Sequence, residues 1–230
     1  MENNNLERLL LIAEGLGELI HKVVFVGGSV AELYADDPAA TDIRPTMDVD
    51  CVIDIDSYNE LQSFERSLRL QHFVNDTESG VICRWRYKGE IVDIMPSDKN
   101  ILGFTNQWYK PGIQQKIQYV INTNVSLNIL PVLYYIATKI EAIKGRAGED
   151  LRVSHDFEDL VYILNNRQDI LVLFDNDKDI DLKKYISIWS QAMINRPNCR
   201  EEIECMLPYG EYDRTDHILK ILHHFAQLIC

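Results

Sequence analysis

A chain of 230 residues with 46% apolar and 26% charged residues has the make-up of a globular protein, long enough for one large domain or two small ones. Its 36 acidic against 23 basic side chains give a formal net charge of −13, which excludes salt-driven binding to long nucleic acid as a general mode. No run of about 18 uncharged apolar residues occurs, so no membrane span is expected.

The N-terminal stretch Glu2–Glu14 carries acids and has no basic region ahead of its apolar residues, unlike a secretory signal. Five cysteines (Cys51, Cys83, Cys199, Cys205 and Cys230) make an odd number without a CxxC pair. They read as reduced thiols of a cytoplasmic protein.

Helical spacing of Leu6, Leu9, Leu10, Ile12, Ala13, Leu16, Leu19 and Ile20 predicts an opening amphipathic helix. Val23–Val26 is a short buried strand closed by Gly27-Gly28, and Ser29–Tyr34 follows as a short helix with Ser29 near its start. Residues 36–45 form a loop. Asp48–Asp56 alternates as a strand, with Val49, Cys51, Ile53 and Ile55 on one face and Asp48, Asp50, Val52, Asp54 and Asp56 on the other. Ser57 and Glu60 form a capping box for a helix ending near Leu70. Val81–Tyr87 and Glu90–Met95 pair around a turn at Lys88-Gly89, with Pro96 ending the second strand. Tyr119–Asn122 and Val125–Ile129 form a further hairpin.

From Pro131 onward the pattern is helix after helix: Leu133–Ile143, Asp156–Leu164 capped by Ser154, Leu182–Ile194, Arg200–Met206 and Thr215–Leu228. The expected architecture is therefore α+β: a mixed sheet with flanking helices over residues 1–128, and a helical bundle over residues 129–230. Between Lys99 and Arg152 seven bases face three acids, a local excess suited to a polyanionic ligand.

The chemistry concentrates in three places. Gly27-Gly28-Ser29 lets backbone N–H groups and a hydroxyl approach phosphate oxygens. Asp48 and Asp50, two apart on a strand, share a face and together suit divalent cations. Two such ions, about 3.5–4 Å apart, stabilise the attacking and leaving oxygens of a displacement at phosphorus. Asp54 and Asp56 are a rival pair, but Asp48 and Asp50 sit at the strand's start beside the loop. Asp93 is an acid among Ile91, Val92 and Ile94; a buried carboxylate needs a partner, either a shared metal or Arg84 or Arg86 across the hairpin. In the helical half, Lys139 and Arg146 lie two turns apart on one helix face.

Gly-Gly-Ser followed by Asp-x-Asp and a later strand acid resembles the DNA-polymerase-β-type nucleotidyltransferase superfamily. Thr138-Lys139-x-x-Ala142-x-x-x-Arg146, then Ser154-His-Asp-Phe-Glu-Asp159-Leu, is similar to its AbiEii/AbiGii toxin-like branch. The resemblance spans roughly residues 20–165. It implies that Gly27, Gly28 and Ser29 meet the triphosphate, that Asp48, Asp50 and Asp93 bind two Mg²⁺ ions, that Lys139 and Arg146 neutralise phosphate charge, and that Asp156 assists at the nucleotide or acceptor. The activity so implied moves a nucleoside monophosphate from an NTP to a hydroxyl of tRNA or protein, compatible with the toxin of a toxin–antitoxin or abortive-infection system, for which a cognate antitoxin would be the partner. Small-molecule nucleotidyl transfer to an aminoglycoside-like acceptor, and a catalytically idle partner-binding protein, are the alternatives.

Other features lead elsewhere. The acidic run Asp175–Asp181 has Ile180 and Ile186 where a calcium loop needs glycine and glutamate. His223 and His224 lack zinc-ligand spacing with Cys199 and Cys205. His155 reads as solvent-facing, and Trp108 as packing or a base-stacking platform.

Overall fold

A computed structural model describes residues 4–41, 43–146 and 150–229, so Glu2, Glu149 and Cys230 lie outside the described residues. The chain is α+β and divides into two compact units: Met1–Val30 with Arg44–Pro131, and Ala31–Ile43 with Val132–Cys230.

The first unit is built on one mixed sheet. Its seven strands are β1 (Val23–Val26), β2 (Asp48–Ile53), β3 (Val74–Asn75), β4 (Arg84–Tyr87), β5 (Glu90–Pro96), β6 (Ile117–Val120) and β7 (Ser126–Ile129), in the order β3-β4-β5-β2-β1-β7-β6. The β2–β5 and β1–β7 pairs are parallel and the others antiparallel. β1 lies inside the sheet with all four apolar residues buried, as β-branched and aromatic residues favour. Helix α1 (Asn5–Leu16) starts where Asn4 accepts a hydrogen bond from the Glu7 N–H at 2.8 Å, and stops at Gly17, whose φ of 52° no L side chain adopts readily. Its stripe Leu9, Ile12, Ala13 and Leu16 is buried. A Cβ on Gly15 would fall 2.6 Å from the Tyr87 ring, so the helix can seat there only without a side chain.

Helix α2 (Tyr58–Leu70) begins with a displaced capping box: Ser57 accepts from the Glu60 N–H at 3.3 Å, while Glu60 accepts from Asp56 N–H at 3.1 Å. Strand β2 ends at Ile53, short of the expected Asp56, because Asp54 turns to the Ser97 hydroxyl at 2.9 Å and Asp56 to Lys110 at 2.9 Å. Val52, placed by alternation on the acidic face, is fully buried, so both sheet faces are covered at that end of the strand. Strand β4 starts at Arg84 because residues 81–84 turn, with Arg84 N–H bonded to Val81. Pro96 closes β5 as its last paired residue, opposite Ile53. The two remaining short helices here, α3 (Lys99–Leu102) and α4 (Tyr109–Gln114), are too brief to carry a periodic signal.

The second unit is helical: α5 (Val132–Arg146), α6 (His155–Asn166), α7 (Ile170–Asn176), α8 (Ile180–Ile194), α9 (Cys199–Glu204) and α10 (Arg214–Ala226). Leu160, Ile163, Ile186, Ile218, Leu222 and Phe225 fill its core. Segment 31–43 belongs to this unit because Asp36 and Asp37 N–H groups donate to the Asn166 carbonyl, Arg214 pairs with Asp37 at 3.1 Å, and Tyr34 packs on Tyr135. Among the described residues no helix is long and apolar enough to cross a membrane.

Candidate functional site

The glycine corner and the acidic strand meet in the first unit. Val26 pairs with Asp50 in register, and the next residue, Gly27, has a φ of 73°. A Cβ built on Gly27 would fall 2.0 Å from Asp50 Oδ2, so the Asp50 carboxylate occupies the space that only glycine leaves open. The helix expected from Ser29 is a seven-residue 3₁₀ stretch, Gly28–Tyr34, too short to gather a sizeable dipole. The Ser29 hydroxyl is buried and has no hydrogen-bond partner among the described residues, a costly arrangement that a polar ligand relieves.

Asp48 and Asp50 share a face of β2, and β5 sets Asp93 directly beside Asp50. Across the hairpin Asp93 is opposite Arg84. Arg84 donates from Nε to Asp93 Oδ1 at 2.8 Å and from Nη2 to Oδ2 at 2.7 Å, a two-pronged pairing, and its Nη2 also reaches Asp48 Oδ2 at 3.1 Å. The hydrogen bonding to Asp93 raises the guanidinium's pKa above its usual value, so its charge is permanent. Of the two partners suggested by the sequence, Arg84 is the one that reaches Asp93; Arg86 binds Asp76 at 2.8 Å. Cys51 and Cys83 lie near these acids. Burial, then Asp93, pushes the Cys83 thiol up to about 11, and burial holds Cys51 well above the ordinary thiol value, so neither offers a thiolate nucleophile at neutral pH.

Whether a divalent cation suits this face follows from its donors. Carboxylate oxygens are the hard ligands Mg²⁺ takes, and Asp48 and Asp50 present two of them from one strand face, with the Asp48 side chain 32% exposed. Asp93 commits both oxygens to Arg84. Among the described residues no group of three or more His, Cys, Asp or Glu side chains is arranged to hold a metal. The fit is therefore to the pair Asp48 and Asp50. The rival acids Asp54 and Asp56 diverge to Ser97 and Lys110.

The second unit holds its own cluster. Lys139, on α5, is 5% exposed and donates to Asp159 Oδ2 at 2.6 Å and Asp156 Oδ1 at 3.1 Å, both on α6. Its ammonium also lies over the Tyr135 ring. Burial alone would lower its pKa; Asp159 and Asp156 outweigh that and raise it, so Lys139 is charged. Arg146 Nη2 reaches the other oxygen of Asp156 at 3.0 Å, as expected for a residue two turns from Lys139 on the same helix face. Asp156 thus bridges both bases. Ser154 caps α6 by accepting from Phe157 N–H at 3.3 Å.

The sequence leaves two pairings open to different degrees. Arg84 was one of two options, and counting outward from Lys88-Gly89 pairs it with Asp93. Asp159, one helical turn beyond Asp156, is the nearer acid to Lys139, and nothing local in the sequence reveals that. Elsewhere, Asp179 caps α8 and accepts from Tyr134, and Asp175 meets His224, so the acidic run is spent on structure. His155 is exposed beside Glu158, and Trp108 is largely buried.

Comparison with family models and with curated proteins finds no match to this chain.

Proposed function

We propose that the chain is a metal-dependent nucleotidyltransferase of the DNA-polymerase-β type, moving a nucleoside monophosphate from an NTP to an acceptor hydroxyl of tRNA or protein. The observation that carries this reading is the seating of the Asp50 carboxylate on Gly27, which joins the Asp48–Asp50 pair to the glycine corner. A divalent cation held by Asp48 and Asp50 would supply charge neutralisation at the reacting phosphate. The acceptor oxygen bonds to the α-phosphorus as its bond to the β-phosphate oxygen breaks, with loss of pyrophosphate and a proton. This chemistry needs orientation and charge rather than a covalent nucleophile, in keeping with the unreactive thiols beside the acids. The toxin role and a cognate antitoxin rest on the resemblance alone.

The test is transfer of label from α-labelled NTPs to total cellular RNA, protein or small hydroxyl compounds in the presence of Mg²⁺. Asp48→Ala with Asp50→Ala should abolish transfer while far-UV circular dichroism stays unchanged. Persistent labelling by that variant would refute the assignment.

The engagement of Asp48 and Asp93 by Arg84 favours a second reading, a catalytically idle fold that binds a partner protein. An idle chain shows no Mg²⁺-dependent thermal shift with any NTP.

A further inference from the structure

Asp93 is 7% exposed on a strand flanked by β4 and β2, where an uncompensated carboxylate is costly. A metal compensates such a group only while bound, whereas Arg84, set opposite it across a two-residue turn, does so from within the chain. Its contacts are unequal. Asp93 receives two bonds, at 2.8 and 2.7 Å, whereas Asp48, whose own side chain is 32% exposed, receives one, at 3.1 Å. The Asp48 limb is the one that can be released.

We propose that Arg84 is the internal cation of this face: it withdraws Asp93 from metal ligation and competes for Asp48, so that the face takes one divalent ion, on Asp48 and Asp50, rather than two. The proposal rests on the nucleotidyl-transfer reading, which supplies the cation. It makes Arg84 a positioning residue, one that acts through the carboxylates it holds.

Mn²⁺ is the probe, with the free ion followed by electron paramagnetic resonance as the full chain is titrated without nucleotide. The wild-type chain should saturate at one ion. Asp48→Asn or Asp50→Asn should weaken binding by about tenfold or more, as expected when one of few charged ligands is lost. Arg84→Gln should bind more tightly or take a second ion. Should that variant fail to fold, Arg84→Gln combined with Asp93→Asn, which removes both charges together, decides: it should keep one ion at equal or higher affinity. Two ions on the wild-type chain, or a loss of about tenfold or more in the combined variant, overturns the proposal, because either makes Asp93 a ligand. Those results leave the nucleotidyl-transfer reading standing, whereas a wild-type chain that takes up no Mn²⁺ overturns both.

Discussion

Lys139 and Asp159 form an ion pair closed off from water: Nζ and Oδ2 lie 2.6 Å apart, and the two residues are 5% and 0% exposed. Breaking such a pair on one side strands a buried charge. Lys139→Met should destabilise the chain by about 3–5 kcal/mol, and Lys139→Met with Asp159→Leu should recover much of that loss. Arg146, 73% exposed, bonds to Asp156 at the surface, so Arg146→Ala should cost less than about 1 kcal/mol. Urea unfolding of the four proteins checks the order; a Lys139 variant as stable as Arg146→Ala would show that the pair is not closed.

The same pair fixes a pH response. The folded-state pKa of Lys139 lies above its ordinary 10.5, because the pull of Asp159 and Asp156 exceeds the cost of burial. Its contribution to stability is complete below 10.5 and is lost as pH climbs through the folded value. Thermal melts taken above pH 10.5 should fall more steeply for the wild type than for Lys139→Met. Equal slopes would contradict it.

Acid acts on a different group. Asp76 accepts the N–H groups of Ser79 and Glu78 at 3.0 and 3.1 Å and pairs with Arg86 at 2.8 Å, tying the turn that leads toward β4. The Ser79 bond, with Arg86 and Glu78 adding, holds its carboxyl below the usual 3.8. Its stabilisation is present above 3.8 and disappears as pH falls through the lower folded value. Asp76→Asn, insensitive to this titration, should lose less stability than the wild type on acidification below that point. The check is the acid-unfolding curve of each protein by fluorescence.

Local rules carried far along this chain, and they stopped where long-range partners took over. β1, α2, the β4–β5 hairpin and the capped helices at 154 and beyond follow from alternation, 3.6-residue spacing and side-chain caps, which are all short-range. Gly27 and Asp50 were legible as separate signals, but their contact depends on the antiparallel register of β1 and β2, set by the loop between them. Alternation places Val52 on the acidic face because it cannot report that both faces are covered. Residues 36–45 read locally as a plain loop, since the attachment of Asp36 and Asp37 to Asn166 and Arg214 spans well over a hundred residues. Asp159 went unassigned for the same reason: its partner is on another helix.

The hairpin that sets Arg84 against Asp93 turns on Lys88 and Gly89, with φ of 48° and 94°. Both positions are left-handed, a turn that favours Asn-Gly, and lysine is strained at the first. Lys88→Asn should therefore stabilise the chain by about 0.5–1 kcal/mol, read as a higher urea midpoint at unchanged slope. A neutral or destabilising result would mean that the lysine side chain, which lies 5.2 Å from the Tyr87 ring centre, contributes more than its backbone strain removes.

Gly27 and Gly80 have nearly the same φ, 73° and 72°, but different surroundings. A Cβ on Gly80 meets nothing within 4 Å, whereas one on Gly27 falls 2.0 Å from Asp50 Oδ2. Alanine at either position incurs the left-handed strain of about 1–2 kcal/mol, and only at Gly27 must the Asp50 carboxylate also move. Gly27→Ala should thus be the less stable of the two and should also weaken Mn²⁺ binding by about tenfold, while Gly80→Ala leaves that affinity unchanged. Urea midpoints and Mn²⁺ titrations of both variants separate strain from displacement. If Gly27→Ala binds Mn²⁺ as the wild type does, the seat of Asp50 on the glycine corner has no part in holding a cation.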